Sequence, residues 1–151
     1  MSDIFNYEIK IISAQETIPV RHPVLRPGKP IETCNFEGDN LNTTFHLGIY
    51  INQQIVGVVS YFKSSTNLLT ETSQYQLRGM AVLTEYQGKG LGNLLVQHGD
   101  ILLKAKKTNI VWCNAREIAI PFYKKNNFNI IGEPFNIGDI GLHYVMYKSL
   151  E

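Results

Sequence analysis

The sequence predicts a single α+β or α/β domain: a mixed sheet with helices on its faces. Three observations predict it. Strand-length apolar or alternating runs are interleaved with stretches of helical spacing, in the order β-α-β-β-β-α-β-α-β-β. The strands of the first half are joined by hairpin-type turns, whereas the second half contains a β-α-β crossover. At 151 residues, 44% of them apolar and 18% charged, the chain can bury one proper core but not two.

Tyr7 to Ile12 alternates as a first strand. Ser13 and Glu16 then form a capping-box pair. Ile18, Val20, Val24 and Leu25 have helical spacing over Thr17 to Arg26, but Pro19 and Pro23 predict a short or irregular helix that ends at Pro27-Gly28-Lys29-Pro30. Residues 31–43 read as a polar loop. Phe45 to Ile51 and Ile55 to Phe62 are strands around Asn52-Gln53, a hairpin connection. A polar loop over Lys63 to Thr72 leads to a strand at Gln74 to Leu83. From Gly90 to about Lys107, Leu91, Leu94, Leu95, His98, Leu102 and Ala105 share one helical face, with lysines crowding the C-terminal end. Asn109 to Cys113 is a short strand and Ile118 to Lys125 a second clear helix, stopped at Asn126-Asn127. Phe128 to Ile131 and His143 to Tyr147 are the last strands, separated by a loop bearing Gly and Pro.

A formal net charge of +1 argues against a nucleic-acid partner, which calls for a basic excess or stripe. Cys34 and Cys113 lack metal-ligand spacing and read as free thiols, Cys113 packed in a strand and Cys34 in a loop. No metal site is expected. No apolar run reaches membrane-spanning length, and Met-Ser-Asp-Ile-Phe lacks the features of a signal peptide, so a cytoplasmic protein without a membrane partner is expected.

The most informative stretch is Tyr86-Gln87-Gly88-Lys89-Gly90-Leu91-Gly92, between a strand and the long helix. A glycine-dense turn entering a helix presents unpaired N–H groups and the positive end of the dipole to one point, which makes an anion site. A Walker loop would place Ser or Thr after Gly-Lys, and here Gly90 follows. A dinucleotide fingerprint needs different glycine spacing and an acidic residue about 20 positions on, where Thr108 to Trp112 offers none. Gln87-Gly88-Lys89-Gly90-Leu91-Gly92 does fit Gln/Arg-x-x-Gly-x-Gly/Ala at every fixed position.

That motif resembles the one carried by the GNAT superfamily of acetyl-CoA-dependent N-acetyltransferases. Leu77-Arg78-Gly79-Met80-Ala81-Val82 looks like the family's central strand. Ala119-Ile120-Pro121-Phe122-Tyr123, continuing to Phe128, looks like its second motif. The closing His143-Tyr144-Val145-Met146, with Asn114-Ala115, is further similar to the ElaA-type bacterial branch. The resemblance implies a largely antiparallel sheet of about seven strands, splayed in the middle and flanked by about four helices, over residues 1–151.

The resemblance also implies acetyl-CoA as cosubstrate and a small-molecule or protein amine as acceptor. Met80, Ala81 and Val82 would line the pantetheine arm, with the N–H near Met80 polarising the thioester carbonyl. The N–H groups of Gly88, Lys89, Gly90, Leu91, Gly92 and Asn93 would cradle the pyrophosphate, and Gln87, Asn114, Ala119, Phe122 and Tyr123 would complete the cofactor set. Tyr123 stands where the family uses a tyrosine to protonate the leaving thiolate. Arg21, Arg26 and Arg78 are candidates to receive a carboxylate or phosphate on the acceptor.

Three departures bear on this reading. Arg116 replaces an Asn that many members use, leaving Asn114 either to serve instead or to meet the acceptor. Arg78 stands near the position of a carboxylate base and cannot take a proton. His143, His46 or a water relay would then act as base, His143 being the best placed. Asn127 replaces a glycine but tolerates the left-handed conformation of a helix C-cap. The missing carboxylate leaves a second reading open, an acyl-CoA-sensing or partner-binding module of weak activity. Exposed strand edges allow a homodimer.

Overall fold

The structure is a computed structural model and describes residues 6–150. The N-terminal run considered above for a signal peptide lies outside them. The elements are β1 (Tyr7–Ile12), α1 (Ala14–Leu25), β2 (Phe45–Ile51), β3 (Gln54–Lys63), β4 (Gln74–Val82), α2 (Leu91–Ala105), β5 (Ile110–Arg116), α3 (Ile120–Lys125), β6 (Asn129–Ile137) and β7 (Gly141–Ser149). The strands form a seven-stranded sheet in the order β1-β2-β3-β4-β5-β7-β6. The α+β class and seven strands are as predicted. There are three α-helices among the described residues rather than about four, because the segment after α1 forms only a 3₁₀ turn at Ile31–Cys34.

The chain divides into two compact units, Met1–Phe62 with Gly79–Gly99, and Lys63–Arg78 with Asp100–Glu151. In the first, β1 and β3 flank β2 in antiparallel register. Asn52 and Gln53 both have positive φ, 51° and 68°, the primed turn whose twist matches a two-residue hairpin. Ile12, Val20, Val58 and Ala81 are buried together beneath Val24, Leu25, Tyr50, Ile55 and Leu83.

α1 is longer and more regular than predicted. Ser13 and Glu16 close the capping box in both directions, at 3.2 and 2.8 Å, and the Ser13 N–H holds the Glu16 carboxyl below its ordinary range. The helix then runs through Pro19 and Pro23. Each proline removes the donor for the carbonyl four residues earlier, that of Gln15 and of Pro19. Gln15, Pro19 and Pro23 form one exposed stripe, so water can serve the orphaned carbonyls.

In the second unit, β4 pairs in parallel with β5 over Gln74–Gln76 and Ile110–Trp112. β4 continues to Val82 and β5 to Arg116. β7 pairs antiparallel with β5 along its length and with β6 across a bulge between Ile131 and Phe135. The expected loop over 132–142 is therefore mostly strand. Pro134 lies at the bulge on the outermost strand of the sheet order, where a missing donor costs no ladder bond. Buried Gln74 orders the 63–73 loop: it accepts from the Thr66 N–H at 2.9 Å and donates to the carbonyls of Glu71, Leu69 and Thr66. The Trp112 indole N–H donates to the Ser64 carbonyl at 2.9 Å.

Lys148 is a buried charge of this unit. Its ammonium donates to the Asp100 carboxylate at 2.5 Å and the Asn126 carbonyl at 3.0 Å, and lies 4.9 Å from the Phe128 ring centre. Removing one partner of such a pair strands the other. Asp100→Ala is expected to lower the free energy of unfolding in urea by about 3 kcal/mol, and Asp100→Leu with Lys148→Met to recover most of that loss.

Candidate active site

Gly90 precedes α2, and its carbonyl accepts the N–H of Leu94 at 3.2 Å. The N–H groups of Leu91 and Gly92 precede the first bond of the helical ladder. Gly88 and Gly90 both have left-handed φ, 78° and 82°. A Cβ added at either would meet no protein atom within 4 Å. These glycines are therefore set by backbone conformation and openness, not by tight packing, and they stand at the positive end of a 15-residue helix. Gln87, Gly88, Lys89 and Gly90 are exposed, Gly92 and Asn93 half-buried, while Leu91 is buried and anchors the turn to the core. The Gln87 side-chain amide donates to the Val82 carbonyl at 2.9 Å, which ties the turn to the end of β4.

On β4, Ala81 belongs to the core, whereas Met80 and Val82 are half-buried. Gly79 has φ 67° in the middle of the strand, a kink immediately before Met80.

Arg21 is corrected by the structure. Expected to meet an acceptor anion, it is the largest fully buried side chain. Its guanidinium donates to Asp39 Oδ2 at 2.7 Å and Oδ1 at 3.1 Å, to the Cys34 carbonyl at 2.8 Å and to Ser60 Oγ at 2.9 Å. A side chain so enclosed cannot receive a ligand from solvent. Burial pushes the Asp39 carboxyl up, but the bonds from Arg21 and the Phe36 N–H, with the Arg21 charge, together hold it below its usual range. Arg26 is half-buried, with one N–H on the Leu25 carbonyl and its guanidinium carbon 5.7 Å from the Phe36 ring centre.

His46 is also removed from the candidate bases. Its Nε2–H donates to the Asp39 carbonyl at 2.9 Å, so Nδ1 accepts from the Ser60 hydroxyl at 2.6 Å. This tautomer is neutral and uses both ring nitrogens. Burial holds its pKa below the ordinary histidine value, with the Arg21 charge acting the same way. Cys34 is fully buried rather than open in a loop, and burial pushes the Cys113 thiol up.

In the second unit, Tyr123 is buried with its ring edge-on to Phe122 and Phe128, at centroid distances of 5.0 and 5.3 Å. α3 ends in a Schellman cap: Asn127 has φ 72°, its N–H reaches the Lys124 carbonyl, and the Phe128 N–H reaches that of Tyr123. The cap explains why Asn serves where a glycine is usual. Ala119 and Phe122 are half-buried. On β5, Asn114 and Arg116 alternate with buried neighbours and are exposed. Arg116 is in register with His143 on β7. The His143 Nδ1–H donates to the Gly141 carbonyl at 2.9 Å, so in the neutral ring Nε2 carries the lone pair. Arg78 is half-buried. Among the described residues no three His, Cys, Asp or Glu side chains gather to hold a metal, and no helix is long and apolar enough to cross a membrane.

The order of strands, the kinked β4 and the left-handed glycine turn define an acyltransferase class, and the comparisons identify the family. The family model described as "Acetyltransferase (GNAT) domain" matches residues 42–130. An uncharacterized N-acetyltransferase of Bacillus subtilis, YitI, is 41% identical over 143 residues, covering 95% of this chain and 96% of that protein. Crystal structures of Escherichia coli ElaA (TM-score 0.73, 16% identity, 95% of this chain and 99% of that one) and of an aminoglycoside 6'-N-acetyltransferase complexed with coenzyme A (TM-score 0.76, 11% identity, 95% and 97%) share the fold. The chain belongs to the GNAT acetyltransferases and is an acyltransferase.

The missed feature is the Arg21–Asp39–Ser60–His46 cluster. Its members run from position 21 to position 60 and none forms a motif, so only the fold could assemble them. With its folded pKa below its unfolded one, His46 contributes stability that is complete above about pH 6.5 and lost as pH falls below it, by up to about 1.4 kcal/mol per pH unit. Melting temperature is expected to fall between about pH 6.5 and pH 5, with a shallower slope for His46→Gln.

Proposed function

We propose that residues 1–151 act as one N-acetyltransferase domain that transfers the acetyl group of acetyl-CoA to the primary amine of a small molecule or protein, with both substrates bound at once. The observation that carries the reading is the open, left-handed turn at Gly88 and Gly90 on the N-terminus of α2. A diphosphate suits such a turn because backbone N–H groups at a helix N-terminus attract anions and glycines without Cβ atoms let its oxygens approach closely. The coenzyme A in the structurally similar aminoglycoside acetyltransferase supports the same ligand.

Acetyl-CoA supplies an activated acetyl thioester. Peptide groups from Gly88 to Asn93 would hold its diphosphate, with Lys89 adding positive charge. Met80 and Val82 would bind the arm through backbone groups, and the Met80 N–H would donate to the acetyl carbonyl. Asn114, Ala119 and Phe122 are further candidates for cofactor contact. Tyr123 would protonate the leaving thiolate; a phenol is neutral at pH 7 and so carries the proton needed. The His143 Nε2 lone pair suits a base that takes the amine's proton. Arg26 and Arg78 remain candidates for an anionic group on the acceptor.

Acetyl-CoA is expected to raise the melting temperature of the protein, and Gly90→Asp, which sets a carboxylate and a Cβ at the turn, to abolish that rise. Wild-type protein that melts at the same temperature with and without excess acetyl-CoA would refute the cofactor assignment. On an amine found to be acetylated, Tyr123→Phe should lower kcat by about 100-fold while leaving acetyl-CoA affinity unchanged.

A further inference from the structure

We propose that Arg21 is a positioning residue: its buried guanidinium, stacked on Phe36, holds the kink at Gly79 and thereby aims the Met80 N–H. This rests on the reading above that Met80 faces the acetyl carbonyl. The Arg21 guanidinium carbon lies 3.9 Å from the Phe36 ring centre. A Cβ at Gly79 would meet Phe36 Cε2 at 3.0 Å, Arg21 Nε at 3.6 Å and Arg21 Nη2 at 3.9 Å. Arginine and ring thus form a flat wall against the Gly79 backbone. Gly79 is left-handed inside β4, and a residue in that state turns the following peptide away from the regular strand direction.

The wall is braced from several elements. Asp39 takes the guanidinium in a two-bond fork, the Cys34 carbonyl fixes the 3₁₀ turn, and Ser60 on β3 joins it to His46 on β2. Asp39 Oδ2 also accepts the Phe36 N–H at 2.9 Å, so one carboxylate sets both faces of the stack. The Nε of Arg21, its atom nearest the kink, is buried and makes no hydrogen bond among the described residues. Contact with Gly79 is therefore one of shape. A buried ion pair adds little net stability compared with an apolar replacement, but a rigid planar fork holds position well. Oxyanion-type donors lose their effect when misaimed by small distances, which makes the orientation of one N–H a quantity worth bracing.

Acetyl-CoA labelled with ¹³C at the acetyl carbonyl reads this donor directly, without an acceptor. In wild type the carbonyl resonance should move downfield on binding. In Arg21→Lys and in the milder Phe36→Leu it should return toward the free position, with CoA affinity by calorimetry unchanged. On any acetylated amine, kcat should fall about tenfold with KM for acetyl-CoA little altered. Phe36→Leu keeps the Arg21–Asp39 pair, so it remains informative if Arg21→Lys does not fold. Folded variants that retain the wild-type resonance would overturn the positioning role. Wild-type protein that binds acetyl-CoA without a downfield movement would overturn the Met80 assignment and this inference with it. Failure to bind acetyl-CoA at all would instead remove the proposed cofactor.

Discussion

A helix that starts on a left-handed glycine with open space where its Cβ would be is the constraint on which the rest depends. Leu91 is buried and the two residues before it are exposed, so the backbone changes environment within one peptide. The first N–H groups of an α-helix lie ahead of its own hydrogen-bond ladder, so this is where α2 has donors to offer. Gln87 and the 3₁₀ turn at Thr84–Tyr86 hold the loop on the strand side, with the Tyr86 N–H on the Leu83 carbonyl at 2.8 Å. The candidate site is thus built on strand and helix ends, with the entropy of ordering the loop already lost in folding.

Among the described residues each compact unit also contains one buried cation, and the two are handled alike. Arg21 is matched by Asp39 and Lys148 by Asp100, and each cation also donates to a main-chain carbonyl that fixes an adjoining turn, at Cys34 and at Asn126. The second bond distinguishes these pairs from simple neutralisation. It converts a charge that must be satisfied into a fixed position for the turn. Near β4 the same arrangement extends to His46, kept neutral by two bonds of opposite sense.

Much of the fold was legible because it is written in local periodicity. The hairpin at Asn52-Gln53, the capping box at Ser13 and the Asn126-Asn127 stop are each specified by neighbouring residues and stand where they were expected, whereas the buried face of α2 is rotated from the expected one, with Ala105 exposed and Val96 and Leu103 buried. The glycine turn was legible for the same reason. What failed depended on which side of an element faces water. Pro19 and Pro23 are harmless because their stripe is exposed, and Pro134 is accommodated at a bulge on the last strand of the sheet. Arg21 reads as a surface arginine until Asp39, 18 residues on, is folded against it. His46 is disqualified as a base only by Ser60 across the hairpin. Partners at long range leave no spacing to read.

The most direct measurement is amide proton NMR on ¹⁵N-labelled protein titrated with CoA. The N–H resonances of Gly88, Gly90, Leu91 and Gly92 should move downfield together, as donors to phosphate oxygens do. Binding that leaves these four amides in place while others shift would contradict the account.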